Sequence, residues 1–392
     1  MINPRMLELG KAPSTIRELF AYGQRRKQEV GAHHVFDLSI GNPSTPTPAA
    51  VTERMRQLLS QPAETIHGYT NAPGIAEVRA AVARNLNERF DAGALPQHVY
   101  MTCGAYAALA VALRALTVPG DQVVVNAPYF PEYRVLAEAA DAQLVEVPTV
   151  PDTFQLDLAA LDAAIGPRTS VVIVNSPNNP VGAVYAADVL QGLGDLLRRK
   201  SAAFGHPVFL LSDEPYRELS YDAPVPFPAN FYDHTVVCYS WAKSLSLPGE
   251  RIGYAYASSR MDCADEVMAA IAGAGRALGF VNAPVLFQRV METCIDCPPD
   301  LSDYARNRTL LTEGLARLGY EFVHPDGAFY LWVRALEPDA EAFSARAREL
   351  DLLIVPSNSF GCEGWVRCSY CVSSAVIERS MAAWEALKRS YE

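Results

Sequence analysis

The 392 residues hold no surplus of positive charge, no long unbroken apolar run, no internal repeat and no Gly/Ser-rich linker. Each absence removes a class of function. With 33 Lys and Arg against 44 Asp and Glu the formal net charge is -11, whereas a nucleic acid or an anionic membrane calls for a basic face. A small-molecule enzyme suits the balance better. The most apolar window, residues 268–287, is interrupted by Arg276, Asn282 and Pro284, so a buried helix and a loop are expected there in place of a membrane span. The opening residues lack the basic start, apolar middle and small-residue cleavage site of a secretory signal, and the expectation is a cytoplasmic protein. Thiols stay reduced in that compartment, so the eight cysteines do not predict disulfides. Two CxxC pairs, Cys294/Cys297 and Cys368/Cys371, would bind zinc only on facing turns. WVRCSYCVS reads instead as a strand, where residues three apart point to opposite faces. The thiols are read as buried, and no metal is expected.

What the chain does contain is a rhythm. Half of the residues are apolar, and the length exceeds that at which one core stops growing, which predicts one large and one small domain. Seven short apolar runs, at residues 98–102, 122–127, 143–147, 170–174, 208–212, 235–240 and 252–257, alternate with amphipathic segments such as 105–116 and 186–200. Several runs are apolar on both faces, as in a sheet covered by helices on each side. The expected fold class is α/β: a large, doubly wound, mostly parallel seven-stranded sheet. The carboxyl third changes character, with helices near 305–319, 343–351 and 375–389 and short strands near 327–333, 352–356 and 365–370, and reads as a smaller α+β domain. The expected division is 1–45 as an N-terminal segment packing with the small domain, 46–285 as the large domain, and 286–392 as the small one.

In such a sheet ligands bind beyond the carboxyl ends of the strands, so the residues following each run carry the functional signal. Gly104-Ala105 opens a helix whose first N–H groups would suit a phosphate. Tyr129 follows the next run and would either stack on a flat ligand or cap the core. NSPNNPVG, residues 175–182, has the composition of a turn and also offers amide donors. Asp213 ends an apolar strand, where an ionised carboxylate needs a cation or strong donors, unless it caps a helix; Tyr216 follows. YSWAKSLSLPGERIGY supplies Ser240, Lys243 and Arg251. An amine held in a cleft among apolar groups is destabilised as an ammonium and becomes nucleophilic, although a single lysine on a loop is most often solvated. Taken jointly, these groups match one guest: a planar, phosphorylated aldehyde with a ring nitrogen, pyridoxal 5'-phosphate.

The chain resembles the class I/II aminotransferases, the fold type I pyridoxal-phosphate-dependent family, from IGNPSTPTP near residue 40 to WVRCSY near residue 370. The resemblance implies a transaminase that moves an amino group from an L-amino acid to a 2-oxo acid, with 2-oxoglutarate or pyruvate as expected acceptors. Lys243, in the S-x-x-K segment, is implied as the residue that holds the cofactor as a Schiff base and moves the α-proton. Arg251, Ser240 and the Gly104-Ala105-Tyr106 helix start are implied phosphate ligands. Asp213 would pair with the ring nitrogen, Tyr216 and Asn179 would bond the ring's phenolic oxygen, and Tyr129 would stack on the ring. Gly41 and Arg367 stand where relatives bind the substrate's α-carboxylate, with Asn179 beside them. Tyr69, in YTNAPG, implies a homodimer with shared sites.

Trp241, Pro215 and the NPVG sequence depart from the usual pattern and bear on pocket shape. Tyr106, where one aspartate-preferring branch has a lysine, leaves room for aromatic or neutral donors, whereas Arg276 would suit a dicarboxylate. The same cofactor platform also supports lyase and decarboxylase chemistry, which remains the alternative. A nonenzymatic regulatory module that binds the cofactor is the third reading, against which the acidic charge counts.

Overall fold

All seven apolar runs form strands of one sheet, in the spatial order Val99–Thr102, Gly253–Ala257, Thr235–Ser240, Phe209–Asp213, Thr169–Asn175, Gln122–Ala127 and Gln143–Pro148. The structure is a computed structural model and describes residues 2–11, 14–222 and 224–392. Every strand but one points the same way; Gly253–Ala257 runs antiparallel to both of its neighbours.

Successive side chains of a strand point to opposite faces, and here each face meets its own helical layer. Val123, Val125, Ile173 and Leu211 join the core formed with the helices Gly104–Leu116 and Ala264–Leu278. Val124, Val172, Val174 and Leu210 join the core formed with Ala187–Phe204. That double coverage is why the runs are apolar throughout rather than alternating.

The chain divides into two compact units. The larger spans Pro43–Leu301 and takes back Asp326–Ala328; the smaller comprises the chain up to Asn42, Ser302–Pro325 and Phe329–Glu392. The larger unit thus runs past the expected boundary at residue 285. The reason is packing: the helix Val285–Cys294 buries Phe287, Val290 and Met291 in one cluster with Val51 and Leu58 of the helix Ala49–Leu59 and Val82 and Leu86 of the helix Ala76–Phe90. The strand expected from residue 327 begins at Tyr330. Gly327 and Ala328 instead donate their backbone N–H groups to Gly182 and Leu219 of the larger unit, at 2.9 and 2.8 Å, respectively.

Within the smaller unit an antiparallel sheet has the order Val355–Pro356, Trp365–Ser369, Tyr330–Arg334, Phe322–Val323. Phe36–Asp37 pairs in parallel with Leu352–Leu353. The helix Thr15–Val30 is tied to the same unit by two ion pairs, Arg26–Asp351 at 2.7 Å and Lys27–Asp37 at 2.9 Å. All eight cysteines are free thiols. The Cys294 pair belongs to the larger unit and the Cys368 pair to the smaller, and the strand carrying Cys368 ends at Ser369, before Cys371. Among the described residues no helix is long and apolar enough to cross a membrane.

Candidate active site

Strand register decides what meets at one edge of the large sheet. Thr102 and Ser240 both pair with Gly253, so the start of the antiparallel strand lies at the carboxyl ends of its two neighbours. Arg251, two residues before that strand's first residue, therefore arrives beside the helix that starts at Gly104. A Cβ built on Gly104 would stand 2.8 Å from an Arg251 guanidinium nitrogen, and Gly104 has φ +80°. Arg251 itself has φ +53°, a left-handed conformation that a non-glycine residue adopts at some expense. Its guanidinium donates to Pro248 O at 3.0 Å and Cys103 O at 3.4 Å. Cys103, in the N-cap position, makes no side-chain hydrogen bond to the helix's first turn. A guanidinium beside an uncapped helix start suits an anion.

Ser240 is buried and caps the short helix that carries Lys243: its hydroxyl accepts from Ala242 N at 3.1 Å and donates to Ile252 O at 3.2 Å. Lys243 is partly buried, and its Nζ lies 5.9 Å from the centre of the Tyr216 ring. Trp241, whose meaning the sequence left open, is 2% exposed and sits in the core on the other side of this turn. It meets Tyr239 edge-on at 5.4 Å and Tyr254 at 5.5 Å. Its bulk fills the interior rather than reshaping a pocket.

Asp213 is the most informative group. It does not cap a helix; it ends its strand fully buried, with Oδ2 accepting from the Tyr133 hydroxyl at 2.6 Å and Oδ1 buried without a hydrogen-bond partner. Burial pushes its carboxyl up to about 7, the Tyr133 bond opposes that, and Glu214 adds to it. Asn175, paired with Asp213 across the two strands, donates through Nδ2 to Asp213 O at 2.8 Å and accepts from Asn179 N at 2.7 Å. One amide thus aligns two of the expected site residues. Tyr129 is buried, and its hydroxyl donates to Glu146 at 2.7 Å. Burial and that bond raise the phenol to about 12. Ala105 is buried, and Tyr106, 36% exposed, turns its hydroxyl toward Glu132 at 3.4 Å.

Sequence reasoning missed Tyr133 and a buried ionic network behind this edge, and marked Asn175 only as one of the turn's amide donors. Arg217 donates to Glu214 at 2.8 Å, to Glu218 at 3.4 Å and to the Tyr254 hydroxyl at 3.0 Å, with the Tyr239 ring 4.2 Å from its guanidinium carbon. The spacing of Glu214 and Arg217 in DEPYREL was the one available signal for it.

Gly41 and Arg367 belong to the smaller unit. Arg367 is 2% exposed, donates to Ser39 O at 2.7 Å and lies 4.5 Å from the centre of the Tyr330 ring. Asp37 accepts from the Ser39 hydroxyl at 2.6 Å and from Lys27 Nζ at 2.9 Å. A Cβ on Gly41 would overlap the Tyr330 hydroxyl and reach a Phe329 ring carbon at 2.9 Å. Tyr69 belongs to the larger unit and is 98% exposed.

A lysine, a buried carboxylate with an unsatisfied oxygen and an uncapped helix start beside a guanidinium lie at one edge of a doubly wound sheet, an arrangement suited to a cofactor-dependent α/β enzyme. Comparison with known proteins makes this specific. The sequence profile described as aminotransferase class I and II matches residues 33–383. A crystal structure of an aminotransferase from Eubacterium rectale has a TM-score of 0.98 and 48% identity, with 100% of this chain and 99% of that chain covered. Aspartate/prephenate aminotransferase of Thermus thermophilus is 32% identical over 355 residues, 88% of each chain. The structure of aspartate aminotransferase from Thermus thermophilus with maleate has a TM-score of 0.88 and 30% identity over 99% of both chains. The chain belongs to the class I and II aminotransferases.

It is a pyridoxal-phosphate-dependent transaminase of the fold type I architecture. The residues of the larger unit fit that cofactor on their own chemistry. The buried Asp213 Oδ1 lacks a donor that a protonated ring nitrogen would supply, and the Gly104 helix start with Arg251 suits a phosphate.

Proposed function

We propose that Lys243 is the covalent anchor and proton carrier of this aminotransferase, that Asp213 is the partner of the cofactor's ring nitrogen, and that Arg367 binds the α-carboxylate of an L-amino acid donor. The observation carrying the reading is the buried, unpartnered Oδ1 of Asp213, on the sheet edge that also bears Lys243. A carboxylate so enclosed is retained only where a cation or donor completes it. When bound, pyridoxal 5'-phosphate supplies a carbonyl that condenses with amines and a ring that spreads the electrons left at Cα.

The chain's own groups do the rest. Lys243 would hold the cofactor covalently through Nζ and, as a free amine, would carry the proton taken from the donor's Cα. Asp213 keeps the ring nitrogen protonated through a charge-assisted hydrogen bond. Arg251, Ser240 and the first-turn amides of Gly104, Ala105 and Tyr106 hold the phosphate. Ser240 does so only by turning its proton away from Ile252 O. Tyr216 and Asn179 bond the phenolic oxygen, and Tyr129, fixed through Glu146, stacks on the ring. Arg367 offers the α-carboxylate a bidentate contact, with Gly41 and Asn179 contributing to substrate binding. 2-Oxoglutarate or pyruvate accepts the amino group in the return half.

The working form is a homodimer with Tyr69 at the shared site. Its support is the near-complete exposure of Tyr69 and the exposure of Leu278 and Val281, 43% and 40%, on two segments joined by Asn282 Nδ2 donating to Thr70 O at 2.6 Å. The compartment is the cytoplasm, in keeping with eight free thiols.

The test is to follow the visible cofactor band of the purified protein while adding amino acids one at a time, then 2-oxoglutarate or pyruvate. Bleaching by a donor and recovery with an oxo acid are expected. Release of ammonia or carbon dioxide with no need of an oxo acid would overturn the reaction type. Lys243→Ala turning over at the normal rate would overturn the role of Lys243, and full activity in a sedimenting monomer would overturn the shared site.

A further inference from the structure

Behind Asp213 stands a group that no part of the reaction so far employs. Tyr133 is 2% exposed, on the helix Glu132–Ala139, and its hydroxyl donates to Asp213 Oδ2 at 2.6 Å. The opposite oxygen of the same carboxylate is buried with no hydrogen-bond partner. The two facts together describe a carboxylate held by one oxygen and left open at the other.

We propose that Tyr133 is a positioning residue for this aminotransferase: its phenol holds Asp213 by Oδ2, keeps it ionised and reserves Oδ1 for the ring nitrogen of the cofactor. This rests on the reading of Asp213 given above. A phenol suits the task because it donates one proton and, buried as it is, does not give that proton up; burial and the neighbouring Asp213 hold it well above its ordinary value. A cationic donor would compete with the ring nitrogen for the carboxylate's charge, whereas a neutral one leaves that charge in place. The other titratable groups near the pair are Glu214 next in sequence, Cys238 on the adjoining strand, and Tyr216 and Tyr185 beside Tyr133. Burial raises the carboxyl, the Tyr133 bond lowers it and Glu214 raises it again. Among these neighbours the phenol is thus the group that favours the ionised form.

The experiment compares two probes on the cofactor-free protein: pyridoxal 5'-phosphate and its analogue with carbon in place of the ring nitrogen. Both carry the same phosphate, so the ratio of their dissociation constants isolates the contact with Asp213. Measured from pH 6 to 9, the ratio in the wild type should favour the natural cofactor above a midpoint near the Asp213 value of about 7. In Tyr133→Phe the midpoint should move up by about 1–2 pH units, the size of one hydrogen bond to a charged group. The ratio at pH 7.5 should fall by about tenfold. Tyr133→Leu, which also removes the donor, carries the same expectation if the first variant does not fold. An unmoved midpoint, or equal weakening of both probes, overturns the role of Tyr133. Asp213→Asn separates the two ideas: a ratio unchanged by it overturns the reading of Asp213 itself, whereas a ratio abolished by it confirms that reading whatever Tyr133 does.

Discussion

Replacing Arg217 by methionine isolates the buried network that backs the active-site strands. Methionine keeps apolar contact with Phe90, Phe227 and Tyr239, whose rings lie 5.0, 5.8 and 4.2 Å from the guanidinium carbon. It leaves Glu214, 1% exposed, with only the Ser212 hydroxyl at 2.7 Å, while Glu218 retains Arg89 at 2.6 Å. Removing one partner of a buried pair costs about 3–5 kcal/mol. The penalty should depend on pH. Burial holds the Glu214 carboxyl above its ordinary value even with Arg217 opposing, so its ionisation already disfavours the folded state as pH rises. Without Arg217 the folded value climbs further, and the loss grows above the unfolded carboxyl range near about 4.3. Glu218 acts with the same sign. Against burial, Arg89 and Arg217 hold it low, a stabilisation present above the unfolded value and lost as pH falls through the folded one. Part of that contribution also disappears in the variant at high pH. Urea titration of the cofactor-free protein by circular dichroism at pH 5 and 8 should give a loss of about 3–5 kcal/mol at pH 8 and at least about 1 kcal/mol less at pH 5. Adding Glu214→Gln should recover most of it. A loss under about 1 kcal/mol at pH 8, or one equal at both pH values, would refute the reasoning.

Three further outcomes follow from close contacts. Asp37→Asn weakens the Lys27–Asp37–Ser39 chain that ends on Arg367. It should raise KM for amino donors about fivefold to tenfold with little change in kcat, whereas an equal fall in kcat would deny Asp37 a binding role. Gly104→Ala forces φ +80° on a residue with a Cβ and crowds Arg251, so cofactor affinity by fluorescence titration should fall about tenfold; unchanged affinity would remove this helix start from the phosphate site. Gly41→Ala should displace the Tyr330 ring on which Arg367 lies and raise donor KM without altering the cofactor's dissociation constant.

How much of this was legible beforehand differs by residue. The seven runs became the seven strands with no end displaced by more than one residue, because a strand buried on both faces needs an apolar run and little else. Asp213 could be picked out because a carboxylate that ends such a run is locally anomalous, and Lys243 only in company with the other residues at the strand exits. Tyr133 could not: PYFPEY contains two tyrosines, and nothing local says that the second reaches a carboxylate eighty positions on. Trp241 was opaque for a related reason. One helical turn after the strand changes the face to which each side chain points, so its neighbour Lys243 said nothing about which way the indole faced. The extension of the larger unit to Leu301 rests on the packing of Val285–Cys294 against helices two hundred residues earlier, which periodicity does not encode.

The sequence by itself determined the strands, the helices between them and the reactive residue types that follow each strand, since these depend on side-chain period and local conformational preference. Only the tertiary structure decided which of those residues meet. Arg251 precedes its strand whereas Asp213, Ser240 and Lys243 end or follow theirs, and it reaches the same edge because Gly253–Ala257 is the one antiparallel strand of the large sheet, in register with Thr102 and Ser240. Strand direction and register are set by pairing between distant segments and by the layers each face buries, and those interactions do not exist until the chain has folded.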